Sequence, residues 1–245
     1  MKASKDSLGD RIKKYEDTFR YHLPLRSFVI VRIDGKAFHT YTKGCQKPFD
    51  NQLMTDMNNT AIALCKEIQN AKLAYVQSDE ISILLSDRKE INTSAWFDNN
   101  LQKIVSVSAS LATGYLNQLR PGKLAFFDAR AFIVPDLVEA ANYFKWRSDD
   151  CAKNSLQMYA RSLYSSKDLH KVNCAGLHDL IFKKGKNWND LEAIYKRGRL
   201  INRQRFEMKM GEDLTKEVAY RNLWVASSLD GFDFKYWYDT LTKNI

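Results

Sequence analysis

A strand-like segment that ends in charged residues is the feature that most constrains how this chain can fold. FVIVRIDG, at residues 28–35, opens with four apolar residues and then places Arg32 and Asp34 before Gly35. Consecutive apolar residues predict a buried strand over residues 27–34. A carboxylate followed by glycine is typical both of a turn and of a site at a strand end, and this segment alone leaves both open.

Hydrophobic periodicity places the other elements, in an order that alternates helices with strand-like runs. The predicted helices cover residues 8–19, 50–70, 97–117, 136–145, 147–164 and 175–183. The predicted strands cover residues 73–76, 81–85 and 124–134, with a further candidate strand inside 188–207. The short polar gap QSDE between the first two of these strands indicates a hairpin. An aromatic-rich tail closes the sequence.

The order strand, helix, hairpin, helix, strand in the first half predicts an α+β fold. We expect a largely antiparallel sheet with helices packed on one face. In such a sheet the first strand lies beside the hairpin, so Asp34 and Asp79 should converge. A boundary near residue 135 divides the chain into a catalytic part, 1–135, and a basic, helical C-terminal part, 136–245, with a single domain as the alternative.

The charge of the chain favours a polyanionic partner. Its 245 residues carry a formal net charge of +9. Three basic clusters lie close together: KKGK at 183–186, KRGR at 196–199 and RQR at 203–205. They predict a surface that binds RNA phosphates, and a solvated charged face is the alternative.

Two other classes of protein are disfavoured by composition. No run of 18 apolar residues occurs, so no membrane partner is expected. The four cysteines have neither CxxC pairing nor zinc-ligand spacing. Free thiols in a cytoplasmic protein are therefore expected.

The carboxylates of Asp34 and Asp79 offer the hard oxygen ligands that Mg²⁺ prefers. Two shared carboxylates can hold two Mg²⁺ ions, with the Gly35 carbonyl beside them and with Ser78 and Glu80 as further oxygen donors. The same residues also suit solvated turns. The signatures GxxxxGK[ST], GxSxG and a GxGxxG after a strand do not occur.

Several motifs in order resemble the tRNA-His guanylyltransferase superfamily over roughly residues 20–200. They are RIDGKAFHTYTKGCQKPFD, YVQSDEISILL, WF at 96–97, FDAR at 127–130, WRSDDC at 146–151 and YKRG at 195–198. The resemblance implies a polymerase-palm-like fold and nucleotide addition to the 5′ end of RNA. It also implies activation of a 5′-monophosphate with ATP or GTP, attack by the 3′-hydroxyl of the incoming nucleotide, and two Mg²⁺ ions.

The resemblance carries roles to individual residues. It implies that Asp34, Gly35 and Asp79 bind metal and that Glu80 joins the two aspartates as a catalytic residue. The residues implied in nucleotide binding are Gly35, Lys36, Ala37, Phe38, His39, Lys47, Ser78 and Lys103, although Lys36 alone reads as a surface charge. The residues expected to bind RNA are Asn154, Lys183, Lys184, Lys196, Arg197 and Arg199. Asn100 stands where the family has an arginine of the activating-nucleotide site.

The chain departs from the enzymes dedicated to tRNA-His after WRSDDC. Those enzymes continue with His-Ile-Asn-Asn, whereas this chain has residues 152–155, AKNS, of which only Asn154 matches. The departure favours the guanylyltransferase-like branch, a template-dependent 3′-to-5′ polymerase that repairs 5′-truncated tRNA, assembled as a homotetramer. The alternatives are a dedicated tRNA-His guanylyltransferase, a palm-like nucleotide cyclase and a non-catalytic RNA-binding protein.

Overall fold

The computed structural model describes residues 7–209 and 218–245, which form a mixed α/β structure around one sheet. The strands are β1 (Phe28–Gly35), β2 (Ala71–Gln77), β3 (Glu80–Ser86), β4 (Phe127–Val134), β5 (Arg199–Lys209) and β6 (Val218–Ser228). The helices are α1 (Ser7–Asp17), α2 (Phe38–Tyr41), α3 (Asn51–Glu67), α4 (Leu101–Leu119), α5 (Leu137–Leu163), α6 (Cys174–Lys183), α7 (Ala193–Lys196) and α8 (Phe234–Asn244).

The six strands are antiparallel and lie in the order β4-β1-β3-β2-β5-β6. Strand β1 pairs with β3 so that Ile33 lies opposite Ile81. The β2–β3 hairpin closes with Gln77 opposite Glu80, at the same end of the sheet. The hairpin tip therefore lies next to the polar end of β1, as the sequence predicts.

The antiparallel α+β fold is confirmed, and helices cover a second face of the sheet as well. Val29, Val31 and Ile33 pack in one core with α3 and α4. Their neighbours Phe28 and Ile30 point to the opposite face, where they pack with α5 and α8. Because successive strand residues face opposite sides, the continuous apolar run at the start of β1 serves both cores.

Helix α5 is one continuous helix, so the predicted break near residue 146 is wrong. The buried stripe passes through that position, with Phe144, Arg147 and Cys151 all buried on it. The exposed Trp146 interrupts the apolar pattern in the sequence without interrupting the helix. No glycine or proline lies within the helix to end it.

The C-terminal part adds two strands to the sheet that β1 begins. Strand β5 is the candidate strand of residues 188–207, and β6 was not predicted. Residues 199–202 of β5 pair with β2, and the rest of β5 pairs only with β6 among the described residues. The division at residue 135 stays a prediction.

The aromatic-rich tail forms α8 and contributes Trp237 to the core under α5. Helix α1 buries no residue, although it carries the predicted apolar side with Leu8 and Ile12. None of the helices in the described ranges has the length and apolar character needed to cross a membrane.

Candidate active site

A cleft of about 420 Å³ opens at the polar end of β1 and the tip of the β2–β3 hairpin. Its walls come from these strand ends, the start of α3, the middle of α5 and the region of α7. Asp34, Asp79 and Glu80 all line it, so the structure brings the predicted carboxylates together. Four arginines line the same cleft: Arg32, Arg147, Arg161 and Arg199.

Asp79 is partly buried at the hairpin tip and has no ion-pair partner among the described residues. The pKa of Asp79 is raised to about 6, mainly by burial and also by the Asp34 and Glu80 carboxylates, while a hydrogen bond from the Ser78 side chain lowers it. Two close carboxylates disfavour each other's charge. The pair is therefore suited to a ligand that brings positive charge.

Gly35 allows the chain to pass directly beneath Asp79. A Cβ on Gly35 would lie 2.8 Å from Asp79 Oδ2 and 2.2 Å from Phe38 Cδ2. Neither the ring of Phe38, which packs on Phe127 and Tyr41, nor the carboxylate has room for it. Glycine is thus required here by close approach, since its φ is not in the left-handed region.

Glu80 occupies a different environment, buried between two guanidinium groups. Arg147 of α5 donates to both of its oxygens, from Nε to Oε1 at 2.7 Å and from Nη2 to Oε2 at 2.5 Å. Arg32 Nη2 lies 3.0 Å from Glu80 Oε2 and donates to Asp34 Oδ2 at 3.1 Å. Ser82 Oγ also donates to Oε1. This two-sided pairing neutralises Glu80 and links it to Asp34 through Arg32.

Comparison with known proteins identifies the family of this fold and cleft. Residues 9–135 match the family model described as tRNAHis guanylyltransferase (Thg1). The tRNA(His) guanylyltransferase of Debaryomyces hansenii is 30% identical over 221 residues, which cover 80% of this chain and 80% of that protein. The chain belongs to the tRNA-His guanylyltransferase family. Its predicted class, a nucleotidyltransferase, is confirmed by this membership.

Solved structures of the tRNA-His guanylyltransferase family show the same architecture. A bacterial tRNA(HIS) guanylyltransferase (Thg1)-like protein in complex with ATP is 42% identical, with a TM-score of 0.84 over 96% of this chain and 99% of that one. The GTP complex described in the same words gives 0.83. The tRNA(His) guanylyltransferase of Saccharomyces cerevisiae is 25% identical, with a TM-score of 0.64 over 77% of this chain and 91% of that one.

Arg147 is the residue that sequence reasoning missed in this family member. It was read only as part of WRSDDC, and its partner Glu80 lies 67 residues away in the chain. The spacing of Arg147 and Asp150, which pair at 3.0 Å on one helical face, was the available signal. Arg32, which interrupts the apolar run of β1, pairs with two carboxylates of the site, Asp34 and Glu80.

The donor set fits Mg²⁺ held jointly with a substrate. No group of three or more His, Cys, Asp or Glu side chains suited to a metal ion occurs in residues 7–209 and 218–245. Mg²⁺ commonly uses one or two carboxylates and completes its shell with water and substrate phosphates. Asp34, Asp79 and the adjacent Gly35 backbone meet that need, since Asp79 has no ion-pair partner among the described residues. Glu80 does not fit, because its oxygens are taken by arginines.

The predicted nucleotide-binding segment turns sharply after β1. Ala37 and Ser78 both have left-handed backbones, at φ 53° and 46°. The ring of Phe38 is buried, whereas Lys36 and His39 are exposed. The backbone nitrogen of Lys36 donates to the Phe126 carbonyl. The segment therefore forms a tight loop beside the carboxylates.

Of the eight residues predicted to bind nucleotide, Ser78 lines the cleft and seven do not: Gly35, Lys36, Ala37, Phe38, His39, Lys47 and Lys103. Lys47 is exposed in the loop before α3. Lys103 is exposed in the first turn of α4, with its ammonium 5.7 Å from the centroid of the Phe97 ring. Their roles stay predictions.

The residues predicted to bind RNA divide into two groups. Asn154 and Arg199 line the cleft, and Arg199 is buried rather than part of a solvated surface. The others lie outside the cleft, on the α6–α7 side: Lys183, Lys184, Lys196 and Arg197. Asn154 donates to Asp150 at 3.2 Å, which ties it to the arginine network of α5.

Proposed function

We propose that this family member is a template-dependent 3′-to-5′ nucleotidyltransferase that extends the 5′ end of truncated tRNA. The observation that carries the proposal is the cleft in which Asp34 and Asp79 lie side by side, where Arg32 pairs with Asp34 and no described residue forms an ion pair with Asp79. A nucleotidyl-transfer site needs such carboxylates together with room for phosphates, and the cleft offers both.

The substrates that fit the cleft are nucleoside triphosphates and an RNA 5′ end. Relatives of similar fold are described in complex with ATP and with GTP, which supports either nucleotide for activation of the 5′ end. Two Mg²⁺ ions, when bound, would lower the pKa of the attacking hydroxyl and neutralise charge on the leaving phosphate.

The protein's own residues position these groups. Asp34 and Asp79 would hold the ions at the edge of the sheet, and Arg32 fixes Asp34 by a hydrogen bond. The loop of Phe38 and His39 would line the triphosphate, since it turns directly beside Gly35. We propose that Glu80 acts through Arg32 as a positioning residue, because Arg147 and Arg32 occupy its oxygens.

The residues that follow WRSDDC favour template-dependent nucleotide addition over the addition of a single G. Ala152 stands where dedicated enzymes have histidine. The chain is 42% identical to a bacterial Thg1-like protein and 25% identical to the yeast tRNA(His) guanylyltransferase. A dedicated tRNA-His guanylyltransferase is the second candidate, supported by the relatives that carry that description.

The proposed partner is tRNA, and the proposed assembly is a homotetramer. Exposed basic residues beside α6 and α7 support RNA binding by shape and backbone. The exposed apolar side of α1, with Leu8 and Tyr15, supports a contact between subunits. We also propose a cytoplasmic location, since the four cysteines are free thiols.

One assay separates the two candidates. The protein is incubated with Mg²⁺, all four nucleoside triphosphates and a set of 5′-truncated tRNAs that differ only in the base opposite the missing position. We expect the added nucleotide to follow the opposing base on every tRNA. Addition of G alone, restricted to tRNA-His, would establish the dedicated enzyme instead, and absence of any addition would contradict both.

A further inference from the structure

Hydrogen-bond donors without acceptors are concentrated around the cleft. Among the described residues, three buried side-chain nitrogens that lack a partner belong to cleft-lining residues: Arg32 Nε, Gln77 Nε2 and Arg199 Nη2. A buried donor without an acceptor is costly, and native structures contain few of them. All three are N–H donors, so the molecule that completes this cleft supplies acceptors.

Arg199 is the cleft arginine whose charge is least balanced by the protein. Its Nε donates to Asn58 Oδ1 at 2.9 Å, and no ion pair joins it to a carboxylate within the described ranges. Burial lowers the pKa of Arg199, because its guanidinium is removed from water. Only 4% of its surface is exposed, so water does not replace the missing anion.

Arg32 and Arg147 provide the contrast within the same cleft. Both pair with Glu80, and each contacts a further aspartate, Asp34 or Asp150. Their charges are therefore matched inside the protein. Arg199 lies in the same cleft and has a polar contact with Asn58, but no carboxylate of the described residues balances its charge.

Gln77 lies beside Arg199 in the sheet. Val76 of β2 pairs with Arg199 of β5, and Gln77 is the next residue of β2. Paired strands lie about 4.8 Å apart, so the two backbones are neighbours. Because successive strand residues face opposite sides, the two side chains leave opposite faces of the sheet, and both reach the cleft at its end. Like Arg199, Gln77 is 4% exposed and lines the cleft. An amide and a guanidinium that line one cleft with unpartnered N–H groups offer donors for phosphate oxygens.

We propose that Gln77 and Arg199 form a phosphate subsite in the cleft, in which Arg199 binds the charge and Gln77 binds a second oxygen. This inference rests on the proposed function, which brings phosphates into the cleft from two sources. One source is the 5′-phosphate of the RNA, and the other is the triphosphate of the nucleotide. In this proposal Arg199 binds phosphate inside the cleft, whereas the exposed lysines of the basic clusters contact phosphates only at the surface.

The test measures equilibrium binding, which does not require catalysis. Fluorescence anisotropy compares a labelled tRNA acceptor-stem hairpin with a 5′-phosphate and the same hairpin with a 5′-hydroxyl. Calorimetry measures the affinity for ATP in parallel. The variants are Arg199→Met, Arg199→Lys and Gln77→Leu. Arg11→Gln is the control, because it removes one exposed positive charge on α1.

We expect Arg199→Met to weaken binding of the phosphate-bearing ligand by about 10- to 100-fold, and Gln77→Leu by about 3- to 10-fold. If the RNA supplies the phosphate, wild type prefers the 5′-phosphate hairpin and Arg199→Met loses the preference. If the nucleotide supplies the phosphate, the affinity of Arg199→Met for ATP falls instead. Unchanged affinity of Arg199→Met for both hairpins and for ATP would overturn the proposal.

Stability separates a ligand-binding role from a structural one. Removing a buried, unmatched charge should leave the melting temperature of Arg199→Met unchanged or higher. If that variant does not fold, Arg199→Lys decides, since it keeps a charge but loses the planar fork: weaker phosphate binding supports the subsite, and unchanged binding overturns it. The extension assay with wild type tests the proposed function separately, because phosphate binding without any extension would contradict only that function.

Discussion

On the two sides of the hairpin tip, the neighbouring carboxylates of Asp79 and Glu80 have opposite electrostatic environments. On the cleft side, Asp79 is partly buried beside Asp34 without an ion pair in the described residues, and its pKa is raised to about 6, mainly by burial. Beneath α5, Glu80 accepts hydrogen bonds from Arg147 and lies against Arg32. Asp79 and Glu80, adjacent in QSDE, thus differ in whether the protein itself supplies a positive charge that pairs with the carboxylate.

This difference separates a reacting carboxylate from a positioning one. A carboxylate that lacks an internal cation can take an external one, and it is destabilised until it does so. A carboxylate paired with two guanidinium groups holds its surroundings in place and has little left to offer a ligand. Substitutions of Asp79 and of Glu80 should therefore differ in their effects on activity and on stability.

The largest effect is expected at Asp79. Asp79→Asn removes the charge that would hold Mg²⁺, so we expect the rate of nucleotide addition to fall by about 100-fold or more. The melting temperature should not fall, because an unpaired buried charge is lost. Single-turnover extension of a 5′-truncated tRNA measures the rate. Extension at the wild-type rate by this variant would remove Asp79 from the site.

Glu80→Gln should instead act mainly on stability. It leaves Arg147 buried without its main partner, and we expect the free energy of unfolding to fall by about 3–5 kcal/mol, or roughly 10 °C in melting temperature. Thermal denaturation of Glu80→Gln beside Asp79→Asn checks the contrast. Equal melting temperatures for the two variants would show that the sides of the hairpin tip do not differ in this way.

The pH dependence of stability should reflect Asp79. Its pKa is raised in the folded protein, so the protonated form is favoured there, and the stability from this preference is lost as pH rises through about 6. Without metal, Asp79→Asn should gain stability over wild type by up to about 3 kcal/mol between pH 4 and pH 7. Denaturant unfolding at several pH values measures this gain. A constant difference between the two proteins across that range would argue against the raised pKa.

The smallest effect is expected at Lys123, which supports the nucleotide loop from outside the cleft. Its ammonium donates to the carbonyls of Thr40 and Tyr41, at the end of α2. Lys123→Met should raise the KM for nucleotide by about 3- to 10-fold with little change in kcat, and Lys123→Arg should restore part of the loss. Steady-state kinetics distinguish this positioning role from a general loss of stability, which would lower the active fraction and leave KM unchanged.

The main features of the site were predictable because their signals are local. The apolar start of β1 and the polar gap of the hairpin fixed which ends of the strands meet, and antiparallel pairing then brought Asp34 to Asp79. The structure adds that Gly35, at the same strand end, lies too close to Asp79 and Phe38 to carry a Cβ. Short-range sequence patterns of this kind determine the relative positions of the residues within them.

The long-range partners were not predictable from such patterns. Arg147 reaches Glu80 only because α5 packs across the second face of the sheet, and no feature of WRSDDC specifies that packing. Arg199 looked like part of a solvated cluster, since KRGR is charged throughout. It is buried because β5 pairs with β2 at that residue, a contact between positions 123 residues apart.

The most direct test of the central claim measures divalent cation binding at Asp79. Water-proton relaxation with Mn²⁺ and a non-hydrolysable nucleotide would compare wild type, Asp79→Asn and Asp10→Asn, in which an exposed carboxylate of α1 is removed. We predict that Asp79→Asn loses the nucleotide-dependent Mn²⁺ site while Asp10→Asn keeps it. Wild-type Mn²⁺ binding by a folded Asp79→Asn would contradict the assignment of Asp79 as a metal ligand.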